Sequence, residues 1–272
     1  MKPSVLIAAG CSWVAGRAID TDPASTEFNI DHSEDPMFVE QHSFAGQLQR
    51  RLGLDEIQFV ARNGANNDEQ IDSLVDYIDN NYSRYSQIFV LWGLTSIYRW
   101  EMYSDITEQV HSCQYGRKFK SVKLNEQVKY HFTHHWDKDY ELKKLGTKVL
   151  LLNGYLKNLG IEHLFFNAFQ SYNVEDLKIK NISSREFYHV DETDNDLLSF
   201  LCSTDSVKLS QSKFPWLNLW KPAEWQHNNE AIRQLQKSGL LDVATAHPTV
   251  RAHELIANEL YDYIKEKNNE RI

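Results

Sequence analysis

Long hydrophobic runs are missing from this chain: no stretch of its 272 residues approaches the roughly 20 apolar residues needed to cross a bilayer. The N-terminus offers one lysine and a short apolar run, too brief for the core of a secretory signal. Cysteine is scarce. Cys11, Cys113 and Cys202 are odd in number and far apart, which speaks against a disulfide framework and suits a reducing, cytoplasmic compartment. Positive charge is in deficit as well, with 29 Lys and Arg against 38 Asp and Glu. The net charge of −9 argues against a nucleic-acid partner that tracks phosphates, while leaving room for a local basic patch. Nucleotide-binding loops are also lacking. Gly16 is followed by Arg17 rather than Lys-Ser/Thr, and no Gly-X-Gly-X-X-Gly occurs, so no cofactor is expected.

What is present is an ordinary globular composition, 42% hydrophobic and 25% charged, in a chain long enough for one large domain with a substantial core. The first hundred residues alternate strand and helix signals. Val5–Ala9 and Ile88–Trp92 are continuous apolar runs, as expected of parallel strands buried on both faces. Ile57–Ala61 reads as another strand. Phe44, Leu48 and Leu52 fall at helical spacing with Gly53 as a stop, and Ile71, Leu74, Val75 and Ile78 form the next helical stripe. Leu142, Leu145, Val149, Leu152, Leu156 and Leu159 predict a long amphipathic helix, with a strand at Leu164–Phe166 after it. A final helix is expected to start at Pro248, with Val250, His253, Ala257, Leu260 and Ile264 on its buried side. This alternation predicts a parallel sheet covered on both faces, with ligands outside the carboxyl ends of its strands. Two stretches break the pattern, at about 102–140 and 171–240. They read as insertions on the functional edge of a single domain spanning 1–272; the second carries Trp216, Trp220 and Trp225.

Chemistry-bearing residues fall just after the predicted strands. Residues 8–16 read Ala-Ala-Gly-Cys-Ser-Trp-Val-Ala-Gly, a strand opening into a turn and then a helix, which leaves the Ser12 hydroxyl above the sheet. Attack on an ester carbonyl then needs a base and donors for the developing oxyanion. His247 is the base candidate, because the following Pro248 biases it toward an extended backbone. The nearest carboxylate able to orient it is Asp242, which reaches only if the intervening loop folds back, since position 244 is Ala244. Gly64 offers an unobstructed N–H, Asn66 and Asn67 add side-chain donors, and Thr95 either donates to the oxyanion or caps a following helix. Cys11 is the competing nucleophile, but a side chain one position earlier should point toward the core. Trp13 and Arg99 are candidates for holding substrate, although Arg99 and Glu101 could instead pair with each other. His131, His134 and His135 have ligand-like spacing without a carboxylate or cysteine set to complete it, so coincidence among 11 histidines is the preferred reading and no metal is expected.

Four segments resemble, in order, the conserved blocks of the SGNH (GDSL-like) hydrolases, especially the divergent phage-associated members that open Gly-Cys-Ser-Trp. Gly10-Cys11-Ser12-Trp13 looks like the nucleophile block. Asn63-Gly64-Ala65-Asn66-Asn67 is similar to the block whose glycine N–H serves the oxyanion hole. Gly93-Leu94-Thr95-Ser96 falls where the family has Gly-X-Asn-Asp, and His247-Pro248-Thr249 looks like the histidine block. The resemblance covers the first hundred and last thirty residues. It implies a three-layer α/β/α sandwich around a central, mostly parallel, five-stranded sheet of flavodoxin-like order. It also implies a serine esterase or acetylesterase acting on a small-molecule or carbohydrate ester, with Ser12 as nucleophile and His247 as base. Two departures stand out: Thr95 replaces the family's oxyanion asparagine, and no aspartate lies three residues before His247. They keep an alternative open, a catalytically weakened binding or assembly protein on the same fold, of phage type and compatible with association with a virion. An acyltransferase using the same serine is a third reading.

Overall fold

The computed structural model describes residues 2–16, 35–114, 119–206, 230–242 and 246–269. Arg17, Trp216, Trp220, Trp225 and Ala244, named above, lie outside the described residues. The centre is a four-stranded parallel sheet in the order β2-β1-β3-β6, formed by β1 (Ser4–Ala9), β2 (Glu56–Phe59), β3 (Gln87–Leu94) and β6 (Glu162–Asn167). The period of two along each strand turns alternate residues to opposite faces, which is why β1 and β3 carry continuous apolar runs; Leu6, Ala8, Phe89, Leu91, Leu164 and Phe166 face one core. Val5, Ile7, Ala9, Val90, Trp92 and Phe165 face the other.

Each core is roofed by helices whose apolar residues recur at three and four. On the first face lie α2 (Phe44–Leu52), through Phe44, Ala45 and Leu48, and the last helix α8 (Val250–Asn269), through Ile256, Ala257 and Leu260. On the second lie α3 (Asn67–Asn81), through Leu74 and Ile78, and α5 (Lys138–Asn158), through Leu142, Leu145, Val149, Leu152 and Leu156. The three layers expected from the alternation are therefore present. Gly53 ends α2 in the left-handed region at φ 71°, as its place after the stripe predicted. Among the described residues, no helix is long and apolar enough to cross a membrane.

Several expectations need correction. Among the described residues the sheet has four strands, where about five were expected. Beyond β6, the described residues pair with that strand at isolated bridges, Phe165 with Phe187 and Asn167 with Asp196. The Phe165 N–H donates to the Glu186 carbonyl at 2.7 Å and Tyr188 N–H returns to the Phe165 carbonyl at 2.8 Å, but turns on both sides stop a strand from growing. The helix expected after Thr95 is absent: a turn at 97–98 leads into an antiparallel hairpin, β4 (Arg99–Ser104) with β5 (Gln109–Gln114). Trp100, Met102 and Cys113 of that hairpin pack with Leu124 and Val128 of α4 (Val122–His134), so the first insertion carries a small core of its own. Pro248 does not open α8. It bridges to Leu241, and the helix begins at Val250, with the Thr249 hydroxyl accepting from Ala252 N–H at 3.4 Å.

His253 of α8 is fully buried, stacks on Phe44 at 5.5 Å, and its Nδ1 accepts the Phe44 N–H at 3.2 Å. Burial, and next the proximity of His247, lower its pKa to about 3, so it folds neutral. An unfolded histidine takes up a proton near pH 6.5, hence the unfolded chain binds more protons between pH 6.5 and 3. Stability from this group is flat above that window and falls on acidification by up to about 1.4 kcal/mol per pH unit within it. Urea midpoints measured against pH should show a shallower acid slope for His253→Gln than for wild type; parallel slopes would contradict the assignment.

Candidate functional site

The first feature above the sheet is the turn after β1. Val14 and Ala15 N–H groups both donate to the Cys11 carbonyl, at 3.0 and 2.9 Å, closing a single helical turn around Ser12 and Trp13. The turn sits hard against β3. A Cβ on Gly10 would lie 2.4 Å from Val14 Cγ2, and one on Gly93 would lie 2.7 Å from the same atom and 2.6 Å from Phe166 Cζ. Both glycines are there because the backbone of the turn meets the neighbouring strand with no room for a side chain. Cys11 is fully buried among the core residues of the α2/α8 face, as its position one residue earlier predicted.

His247 arrives from the other end of the chain on a tight loop. The Asp242 N–H donates to the His247 carbonyl at 2.8 Å and the Ala246 N–H to the Asp242 carbonyl at 3.0 Å, which holds the backbones of these residues together. It is clasped further by Thr249, whose N–H donates to Leu240 at 3.1 Å and whose hydroxyl donates to Gly239 at 2.7 Å. Ala246 takes the left-handed conformation at φ 55°, a strained choice for alanine directly before the histidine. The result is a contact between residues 235 positions apart: Ser12 Oγ and His247 Nε2 lie 2.8 Å from each other. With the imidazole neutral and protonated on Nδ1, the hydroxyl donates to Nε2, which is the geometry of a nucleophile and its base. Ser12 is 7% exposed and His247 half-buried, so the pair is partly shielded from water. Asp242 is buried.

The two asparagines expected as oxyanion donors are engaged in holding the framework. Asn66 caps α3 in a capping box: its Oδ1 accepts from Glu69 N–H at 2.9 Å while the Glu69 carboxylate accepts the Asn66 N–H at 3.4 Å. Asn67 grips the backbone of Thr95 from both sides, accepting its N–H at 2.8 Å and donating to its carbonyl at 2.9 Å. Gly64 adopts φ 76° with open space where a Cβ would stand, and among the described residues neither its N–H nor that of Ser12 donates to a protein group. Thr95 is fully buried, yet its Oγ1 has no hydrogen-bond partner among the described residues.

Phe169, just after β6, was not singled out from the sequence. It lies 5.8 Å from the Trp13 ring, and the Arg99 guanidinium lies over its ring at 5.3 Å from the centroid. The only hint was an aromatic residue three positions after a predicted strand end. In the histidine-rich insertion, His131 stacks on Trp100 at 5.9 Å and lies 5.7 Å from His135, which gives these rings a packing role. Among the described residues, no group of three or more His, Cys, Asp or Glu is placed to hold a metal ion. The chain was compared with family models, with curated proteins and with solved structures, and none matches.

Replacing Asn67 by alanine leaves the buried Thr95 N–H without its acceptor and leaves the Thr95 carbonyl only the longer contact from the Tyr172 hydroxyl at 3.4 Å, a loss of about 1–3 kcal/mol. Chemical denaturation should show that deficit, and a loss under about 0.5 kcal/mol would mean the Thr95 segment is held by something else.

Proposed function

We propose that this chain is a serine ester hydrolase of the SGNH type, acting on a small-molecule or carbohydrate ester. The observation that carries the reading is the 2.8 Å contact between Ser12 Oγ and His247 Nε2. In the proposed reaction Ser12 Oγ bonds to the acyl carbon while its proton passes to Nε2. The carbon–oxygen bond to the alcohol then breaks, and the alcohol leaves with that proton. Water, deprotonated by the same imidazole, attacks the acyl-enzyme, releases the carboxylic acid and restores the serine hydroxyl. Asp242 is assigned as the carboxylate that orients Nδ1; the support is that its backbone and that of His247 are hydrogen-bonded and that it is buried. The oxyanion donors are assigned to the N–H groups of Ser12 and Gly64 and to Thr95 Oγ1, three groups that meet no protein acceptor among the described residues. Asn66 and Asn67 serve instead to fix the loop and Thr95 in place.

A second reading, a binding or assembly protein with a weakened site, is favoured by one observation: a threonine hydroxyl stands where the resembling family has an asparagine amide. Loss of one such donor costs on the order of 10²–10³ in rate, not the whole activity. A panel of p-nitrophenyl esters and acetylated sugars separates the two. At least one ester should be hydrolysed by wild type, with kcat/KM lowered on the order of 10³-fold or more in Ser12→Ala and in His247→Ala. Equal background rates in all three proteins would contradict hydrolysis.

A further inference from the structure

We propose that Gln70 is a positioning residue for ester hydrolysis: its carboxamide fixes the turn that presents the Gly64 N–H to the developing oxyanion. The proposal rests on the hydrolase reading and adds to it a buried residue of α3. Gln70, Leu74 and Ile78 follow one another at helical spacing, and all three are buried on the face of α3 that packs on the sheet. An apolar side chain would continue that stripe, so hydrophobic packing does not account for the amide. Its two partners do. Gln70 Oε1 accepts the Trp92 indole N–H at 2.8 Å, and Nε2 donates to the Ala65 carbonyl at 3.2 Å. An indole N–H only donates and a carbonyl only accepts, so the group between them must do both. A carboxamide does; an ionised carboxylate and a thioether do not.

These bonds close a ring of contacts around the donor. Ala9 of β1 is paired in register with Trp92 of β3. The carbonyl of Gly10, the next residue, accepts the Arg62 N–H at 3.1 Å, and the Arg62 carbonyl accepts the Ala65 N–H at 3.2 Å. The second of these closes the turn Arg62-Asn63-Gly64-Ala65, with Gly64 in its third position at φ 76°, a value glycine takes without strain. Gln70 then carries the ring from Ala65 back to Trp92. One end of the turn is tied to the backbone two residues before Ser12, and the other end to the neighbouring strand. Trp92 is a firm anchor, fully buried and edge-on to Phe165 at 5.2 Å. Without the amide the turn keeps its tie to Gly10 and loses the one to β3. An oxyanion donor works only at hydrogen-bond distance from the charge that develops, so this second tie bears on rate.

The test uses a p-nitrophenyl ester that wild type hydrolyses and its thionoester, in which sulfur replaces the carbonyl oxygen. Aligned donors stabilise an anionic oxygen better than the larger, weakly accepting sulfur, so the oxo-to-thiono ratio of kcat/KM reads their alignment. Gln70→Met, apolar and of similar length, should lower kcat on the oxoester about 10- to 100-fold with KM within about twofold, and shrink the ratio by a similar factor. Trp92→Phe cuts the far link alone and should give a smaller loss in the same direction; it decides by the same ratio if Gln70→Met does not fold. Hydrogen exchange should show the Arg62 and Ala65 amides opening faster in Gln70→Met while β1 keeps its protection. A glutamine that only stabilises the fold would lower the melting temperature and leave the ratio unchanged. Wild-type kcat in folded Gln70→Met, or a slower variant with an unchanged ratio, overturns the proposal; turnover that is still lost in Ser12→Ala then leaves the hydrolase standing. A wild type without Ser12-dependent turnover removes the hydrolase reading, and the oxyanion role of Gln70 falls with it.

Discussion

A hydroxyl at residue 12 can meet an imidazole at residue 247 only if both ends of the chain are brought to one rim of one sheet. That requirement organises the molecule. β1 lies inside the sheet, with β2 on one side and β3 on the other, so the turn after it cannot shift without disturbing both neighbours. α8 runs back from the histidine loop across the same face as α2, and it is tied to the first residue of α2 by the buried Phe44–His253 hydrogen bond. The hydrogen bond above the sheet is thus the visible end of a packing arrangement beneath it. Interiors packed at near-crystalline density transmit such constraints because they do not deform continuously.

The polar groups around the rim divide into those that build and those left over. Asn66, Asn67, Thr249 and the backbone of Asp242 spend their hydrogen bonds on the loops themselves. The N–H groups of Ser12 and Gly64 and the Thr95 hydroxyl do not, among the described residues. Buried polar groups without partners are costly, and proteins keep them chiefly where a ligand completes them. The strained Ala246 fits the same economy, since a left-handed alanine persists only where the surroundings fix it.

Much of the fold was legible because burial on both faces writes itself plainly: Val5–Ala9 and Ile88–Trp92 are apolar at every position, and the stripe from Leu142 to Leu156 follows one helical face. The Ser12 and His247 pair was legible from local chemistry, a Gly-Cys-Ser turn after a strand and a histidine before a proline. Their meeting could not be read from spacing, since it depends on how α8 packs. The outer edge of the sheet escaped because residues 186–188 bond to Phe165 without strand-length alternation. The hairpin at Arg99–Gln114 escaped although Trp100-Glu101-Met102-Tyr103 alternates, because its apolar side faces a separate small core. The asparagines misled for a physical reason: Asn66 and Glu69 stand at capping-box spacing, so the residue types that would hold an oxyanion are also those that start a helix.

The central claim, that Ser12 is activated by His247, is tested most directly by a fluorophosphonate probe with the labelled residue mapped by peptide mass spectrometry. The account predicts stoichiometric labelling of Ser12 in wild type at neutral pH, and labelling slowed on the order of 10³-fold in His247→Ala. A wild-type serine that stays unlabelled, or one that labels equally well without the histidine, would contradict it.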